Sequence, residues 1–155
     1  MKEDHSKLIN GCIVHPEQYN FIWRASFLSL FTSIYAFYNG YYDLALCPGG
    51  VFITSINYWR KPDYSWRRNI DIVYVKLAIS YQVIRAYNAE YSRMYYIVLF
   101  TGLCFYPLGI YLYKKDLLWP SIYAHSMIHI LGNVSNVILY SGHIIPMKFS
   151  SIWSC

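Results

Sequence analysis

Five runs of apolar residues organise this chain: Phe21 to Phe37, Leu44 to Trp59, Ile70 to Ile84, Tyr95 to Tyr113 and Leu117 to Tyr140. From Ile97 to Tyr113 there is no charged residue at all, whereas a helix on the surface of a soluble domain keeps a polar face for water. The pattern predicts an all-α protein, a polytopic membrane helix bundle of about five transmembrane helices with its N-terminus inside. Several runs fall short of the roughly 20 residues a helix needs to cross a bilayer core, so their ends are open. The second begins near Pro48, Gly49 and Gly50; if it is re-entrant, the count is four.

The basic residues orient the bundle, because Lys and Arg gather in short loops on the cytoplasmic side. With the N-terminus inside, Lys2, Lys7, Arg24, Arg60, Lys61, Arg67, Arg68, Lys114 and Lys115 are inner, and only Arg85, Arg93 and Lys148 are outer. Lys76 lies within the third run. The expected division is a cytosolic segment 1–20, a transmembrane helical domain 21–140 and a non-cytosolic tail 141–155, integral to a membrane that the sequence does not identify. Residues 1–20 lack the basic and apolar regions of a signal peptide and are expected to stay in the mature chain. No internal repeat divides it further.

Composition agrees with lipid as the solvent. The chain is 56% hydrophobic and 14% charged, against roughly 25% charged for a soluble domain. Its 18 tyrosines and 5 tryptophans suit a membrane interface, although drift in an AT-rich genome would raise Tyr, Ile and Asn together. The net charge of +5 is divided among apolar segments, whereas nucleic-acid binders gather theirs on one face, so nucleic acid is not an expected partner. Cys12, Cys47, Cys104 and Cys155 have no CxxC spacing, which indicates neither a zinc ribbon nor a dithiol redox site.

Small residues recur at helical spacing in the first run, Ser29, Ser33, Ala36 and Gly40, and Gly102 and Gly109 do so in the fourth. Such stripes let a neighbouring backbone approach closely. Pro107 is expected to kink the fourth helix, because proline removes a backbone hydrogen bond.

Chemistry concentrates in the last run. At about 100° per residue, Ser121, His125, His129, Gly132 and Asn136 share an arc of about 80°, with Tyr123, Met127, Ile130, Val134 and Ile138 opposite. The arc is expected to face protein, with Gly132 at a close helix crossing. Ionisable groups are costly in hydrocarbon, so two on one stripe suggest a functional site, and His-x-x-x-His places two imidazoles where one metal ion could be shared. The alternative is two neutral histidines bonded to neighbouring helices. Ser55 and Asp71 lie towards the same cytoplasmic level and could converge with His125. Taken alone, Asp71 reads as a carboxylate at a helix N-terminus paired with Arg67 or Arg68.

A Ser near the end of one helix, an Asp near the start of the next and a late His-x-x-x-His helix resemble the CREST superfamily, which includes alkaline ceramidases, progestin and adipoQ receptors, Per1-like and myomaker-like proteins. The segment His125-Ser-Met-Ile-His129-Ile-Leu is similar to that family's final helix. The resemblance implies a zinc site near the inner leaflet and, in the ceramidase branch, hydrolysis of a lipid amide. It would make His125 and His129 metal ligands, Ser55 a supporting polar residue, and Asp71 the group that orients or activates metal-bound water. The family takes a third histidine one turn after the Ser, where this chain has Trp59.

Three functions remain in view: a non-catalytic scaffold or membrane-remodelling protein, a reduced zinc-dependent lipid amide hydrolase, and a small carrier. The first ranks highest, since catalytic zinc usually has three protein ligands. The fourth run offers almost nothing polar to line a carrier's path. Membrane lipids are the expected partners, a homo-oligomer stays open, and no cofactor is indicated beyond the zinc that the resemblance implies.

Overall fold

The computed structural model describes residue 12 and residues 14–145. Its helices are α1 (Pro16–Ala25), α2 (Phe27–Tyr38), α3 (Tyr42–Trp59), α4 (Trp66–Ala86), α5 (Ser92–Lys114) and α6 (Leu118–Ser141). There is no strand among the described residues, only an isolated bridge between Ala89 and Ile144. The expected all-helical class is therefore observed. By length and composition, one helix among the described residues, Ser92–Lys114, is apolar enough to cross a membrane. Helix α4 is long enough but carries Arg67, Arg68, Asp71, Lys76 and Arg85.

Each apolar run is helical, the first as two helices and the others as one each, with edges set by local chemistry. The first starts earlier than Phe21, at Pro16, whose fixed φ suits a first helical position. The Gln18 side chain accepts the His15 N–H at 3.1 Å, satisfying a donor that the helix start leaves open. Only Ser26 separates α1 from α2, and its backbone is helical (φ −62°, ψ −23°). Gly40, expected to pack within the stripe of small residues, instead turns the chain between α2 and α3 at φ +80°, with nothing within 4 Å of where a Cβ would lie. Residues 146–155, most of the expected outer tail, and residues 1–11 lie outside the described part.

Helices α5 and α6 pack along their lengths, and α3 lies between α2 and α4. Gly102 makes the α5–α6 contact close, since a Cβ there would be 3.0 Å from that of Leu131. Gly109 receives the Ser121 hydroxyl on its carbonyl at 2.9 Å. One end of the bundle holds the α3–α4 and α5–α6 turns with Arg60, Lys61, Lys114 and Lys115, and a cluster of Val14, Ile22, Tyr58, Trp59 and Ile122 packs there. The other end is closed by Leu44, Tyr95, Leu139 and Tyr140. There the Tyr41 hydroxyl donates to the Gly142 carbonyl at 2.7 Å, and Arg85 meets Asp43 at 2.8 Å.

Helix α3 runs unbroken from Tyr42 to Trp59 through Pro48, Gly49 and Gly50. Pro48 has no N–H to give the carbonyl of Leu44, and the Tyr140 hydroxyl approaches that oxygen at 3.5 Å. The next carbonyl, on Ala45, accepts Ser33 at 2.8 Å, and that of Leu46 accepts Tyr74 at 2.8 Å. Three neighbouring helices thus donate hydroxyls to three successive carbonyls of α3.

This arrangement requires Gly50, because a Cβ there would overlap the Tyr74 ring. We predict that Gly50→Ala destabilises the protein by about 1–3 kcal/mol, the usual range for overpacking, by pushing Tyr74 off the Leu46 carbonyl. Gly132→Ala is the control, since nothing lies within 4 Å of its Cβ position. Thermal unfolding of the two purified variants measures the difference, and equal melting temperatures would refute the role of Gly50.

Candidate functional site

The polar stripe on α6 lines a cavity of about 400 Å³ bounded by α2 to α6. His125, His129, Gly132 and Asn136 line it from α6, and Ser55 and Asp71 from α3 and α4. The structure therefore brings all four candidate site residues to one space. It corrects the expectation for Gly132, which faces this space and not a helix crossing. On the opposite side of α6, Tyr123, Ile130 and Val134 are exposed, whereas Met127 and Ile138 are half-buried.

Asp71 is only 8% exposed. Thr54 and Ser55 both donate to its Oδ1, each at 2.8 Å. These two hydrogen bonds tie α4 to α3. The alternative pairing with Arg67 is not formed: Arg67 bonds Asp63 at 2.7 Å and the Lys61 carbonyl at 3.0 Å. Hydrogen bonding, first from Ser65 and then from Arg67, holds the half-buried Asp63 carboxyl below the usual carboxylate value. Asp71 is thus an interhelical anchor at the edge of the cavity.

The two imidazoles of α6 lie 5.4 Å apart between ring centroids, and His125 packs against the Trp59 indole at 4.9 Å. Trp59 thus occupies the side of His125 on which the CREST resemblance would place a third ligand. Among the described residues no three His, Cys, Asp or Glu side chains are grouped to hold a metal ion. Two imidazoles walled by an indole do not fit a catalytic zinc site, which usually has three protein ligands and an open position.

Several residues of the site escaped sequence reasoning. Thr54 shares Asp71 with Ser55, a role its adjacency to Ser55 could have suggested. Asn133, one turn after His129, donates to the His129 carbonyl at 2.7 Å and to Ser29 at 3.2 Å, and accepts from Thr32. It ties α2 to α6 beneath the cavity. Gln82 donates to the Tyr140 hydroxyl at 2.6 Å from the cavity wall. Asn136, 8% exposed, lines the cavity with its Oδ1 unpartnered. No sequence signal marks that, because satisfaction of a polar group depends on the neighbours the fold supplies.

Asp71 makes a prediction about coupling. Removing one of its two donors should cost about 1–2 kcal/mol, while Thr54→Ala with Ser55→Ala together should cost more than the sum, since the carboxylate is then buried with no donor. A double-mutant cycle on thermal or denaturant unfolding measures this, and strict additivity would show that Asp71 finds other solvation. No family model matches the chain, and neither a curated protein nor a solved structure matches it.

Proposed function

We propose that this chain is a non-catalytic multi-pass membrane protein, with five spans (α1 and α2 counting as one), its N-terminus on the cytosolic side, and an intramembrane cavity that receives apolar ligand or lipid. The observation that carries the reading is the inverted distribution of polarity. Ser26, Ser29, Thr32, Ser55, Gln82, Asn133, Ser135 and Asn136 are buried, whereas Phe31, Leu46, Ile53, Leu77, Ile84 and Phe100 face outward. Leu46 is 71% exposed and Leu77 64%. Soluble monomers rarely expose contiguous apolar patches of more than a few hundred Å², but a bilayer solvates such a surface and favours interiors bonded through Ser, Thr and Asn. In α4 and α6 several polar residues, Asp71, Gln82, Asn133, Ser135 and Asn136, are buried within the bundle, although Lys76 of α4 is exposed. The interior is where residues such as Asp71 belong in a membrane bundle.

The non-catalytic part of the reading rests on Trp59. Its indole fills the space beside His125, so the water-activating chemistry of a metal hydrolase has no secure ligand set here. The cavity has the volume of a small-molecule site, walls that are mostly apolar, and a few convergent polar groups. The scaffold or remodelling role expected from the sequence is compatible with it.

Topology gives the first test. In a cysteine-free background, Tyr64→Cys should react with an impermeant thiol reagent only from the cytosolic side, and Tyr87→Cys only from the other; both parent side chains are exposed. Labelling of both from the same side would refute five spans. Extraction at alkaline pH, which strips peripheral proteins, should leave the chain in the membrane. Metal analysis gives the second. Detergent-purified protein should hold far less than one zinc per chain, and about one per chain, lost on His125→Ala, would restore the hydrolase.

A further inference from the structure

A second concavity lies outside the bundle, in the groove where α1 crosses the basic end of α3. Asn20 and Trp23 line it from α1, and Ile53, Ile56, Asn57 and Arg60 from α3. Along α3 the order is Arg60 at the helix end, Asn57 one turn in, and Ile53 about 10 Å deeper at 1.5 Å per residue. On the opposite wall Trp23 packs on Phe27 at 4.9 Å, and Phe27 on Phe52 at 5.2 Å, so a ladder of rings holds α1, α2 and α3 together. A cationic and amide-bearing rim thus grades into an apolar floor.

Arg60 is exposed and has no carboxylate partner among the described residues. The nearby loop carboxylate, Asp63, is already bonded to Arg67 at 2.7 Å. Lys61 follows Arg60 in sequence, and Arg68, one turn into α4, lies over the Tyr64 ring at 5.4 Å. The field at this end is therefore positive, with the groove as its shaped part.

We propose that this groove binds an anionic glycerophospholipid of the inner leaflet, with its phosphate on the Arg60 guanidinium, its ester region against the Asn20 and Asn57 amides, and an acyl chain along Ile53 and Ile56. The proposal rests on the multi-pass reading, which sets Arg60 at headgroup level and Ile53 in hydrocarbon. A guanidinium suits the phosphate because its planar fork presents paired donors to two oxygens. A basic residue near an anionic leaflet contributes about 1 kcal/mol of attraction. Orientation follows from the gradient, since the reverse placement would put a phosphate beside Ile53.

The test uses the full chain in phosphatidylcholine vesicles, with quenching of tryptophan fluorescence by brominated phosphatidylserine compared with brominated phosphatidylcholine. The wild type should prefer phosphatidylserine by about fivefold, and Trp23→Phe should remove much of the quenching. Arg60→Gln should lose the preference, Arg60→Lys should keep part of it, and Lys114→Gln, at the same end but outside the groove, should leave it unchanged. A preference retained in a stably folded Arg60→Gln, or lost equally in Lys114→Gln, would overturn the proposal. Asn57→Leu, which keeps the charge, gives a second measure: it should weaken binding of both lipids and keep their order, and unchanged binding would count against the groove. Displacement of the brominated lipid by inorganic phosphate would assign the site to free phosphate instead. Failure of the membrane reading is separately visible, as a chain that alkaline extraction releases from the vesicles.

Discussion

The bundle is organised around one defect, the Pro48-Gly49-Gly50 sequence within α3. A proline in a helix interior leaves a carbonyl without its donor, and glycine weakens the turn beside it. Here that weakness is distributed among neighbours: Tyr140 from α6, Ser33 from α2 and Tyr74 from α4 each reach a successive carbonyl. The Tyr140 hydroxyl accepts from Gln82 as well, so α3, α4 and α6 meet at one oxygen. The glycines matter as much as the proline. Without a Cβ, Gly50 lets the Tyr74 ring lie against α3, and Gly49 does so for Ser33, whose Oγ would be 2.9 Å from a Cβ there. Side-chain donors of this kind are the means by which a helix continues through an internal proline when water does not reach the open carbonyl.

The elements were legible because the apolar runs are long and the turns between them short. Length and local chemistry decided the helix positions; the first run was misjudged where Pro16 and Gln18 begin a helix among polar residues, where Ser26 divides it into two helices, and at Gly40, which turns the chain. The site was legible in part. Helical spacing alone put His125, His129 and Asn136 on one face, and antiparallel packing brought Ser55 and Asp71 to it. What spacing could not give was whether a shared face meets a neighbour or a space. Gly132 and Gly102 both looked like packing glycines and both border the cavity, yet only Gly102 also meets a close neighbour, the Leu131 side chain. The difference depends on where α4 and α5 stand relative to α6, which no pattern within α6 encodes.

The packing around His125 has a specific structural consequence. Trp59, one turn after Ser55, lies against His125 with ring centroids 4.9 Å apart. Its indole Nε1 is buried and unpartnered. An aromatic ring at this point covers one side of His125, while the two imidazoles line the cavity on the other.

Helix α4 explains why there is a cavity at all. It is anchored to α3 near the basic end through Asp71, and at the other end through the Arg85–Asp43 pair and the Tyr81 hydroxyl, which bonds Asp43 at 2.7 Å. With α5 it makes little contact, although Tyr96 donates to the Val83 carbonyl at 2.8 Å close to the turn that joins them. Beyond that bond the two helices are held apart, and the intervening wall carries Ile72, Val75, Lys76 and Ile79 on one side and Leu103 and Tyr106 on the other. A tightly packed α4–α5 seam would force the Lys76 ammonium into an apolar interface, which is costly without a partner. A gap lets its long stem lie along the apolar wall while the charge seeks a wetter level. The same lysine that lowers the hydropathy of α4 is thus a physical reason for the seam to stay open.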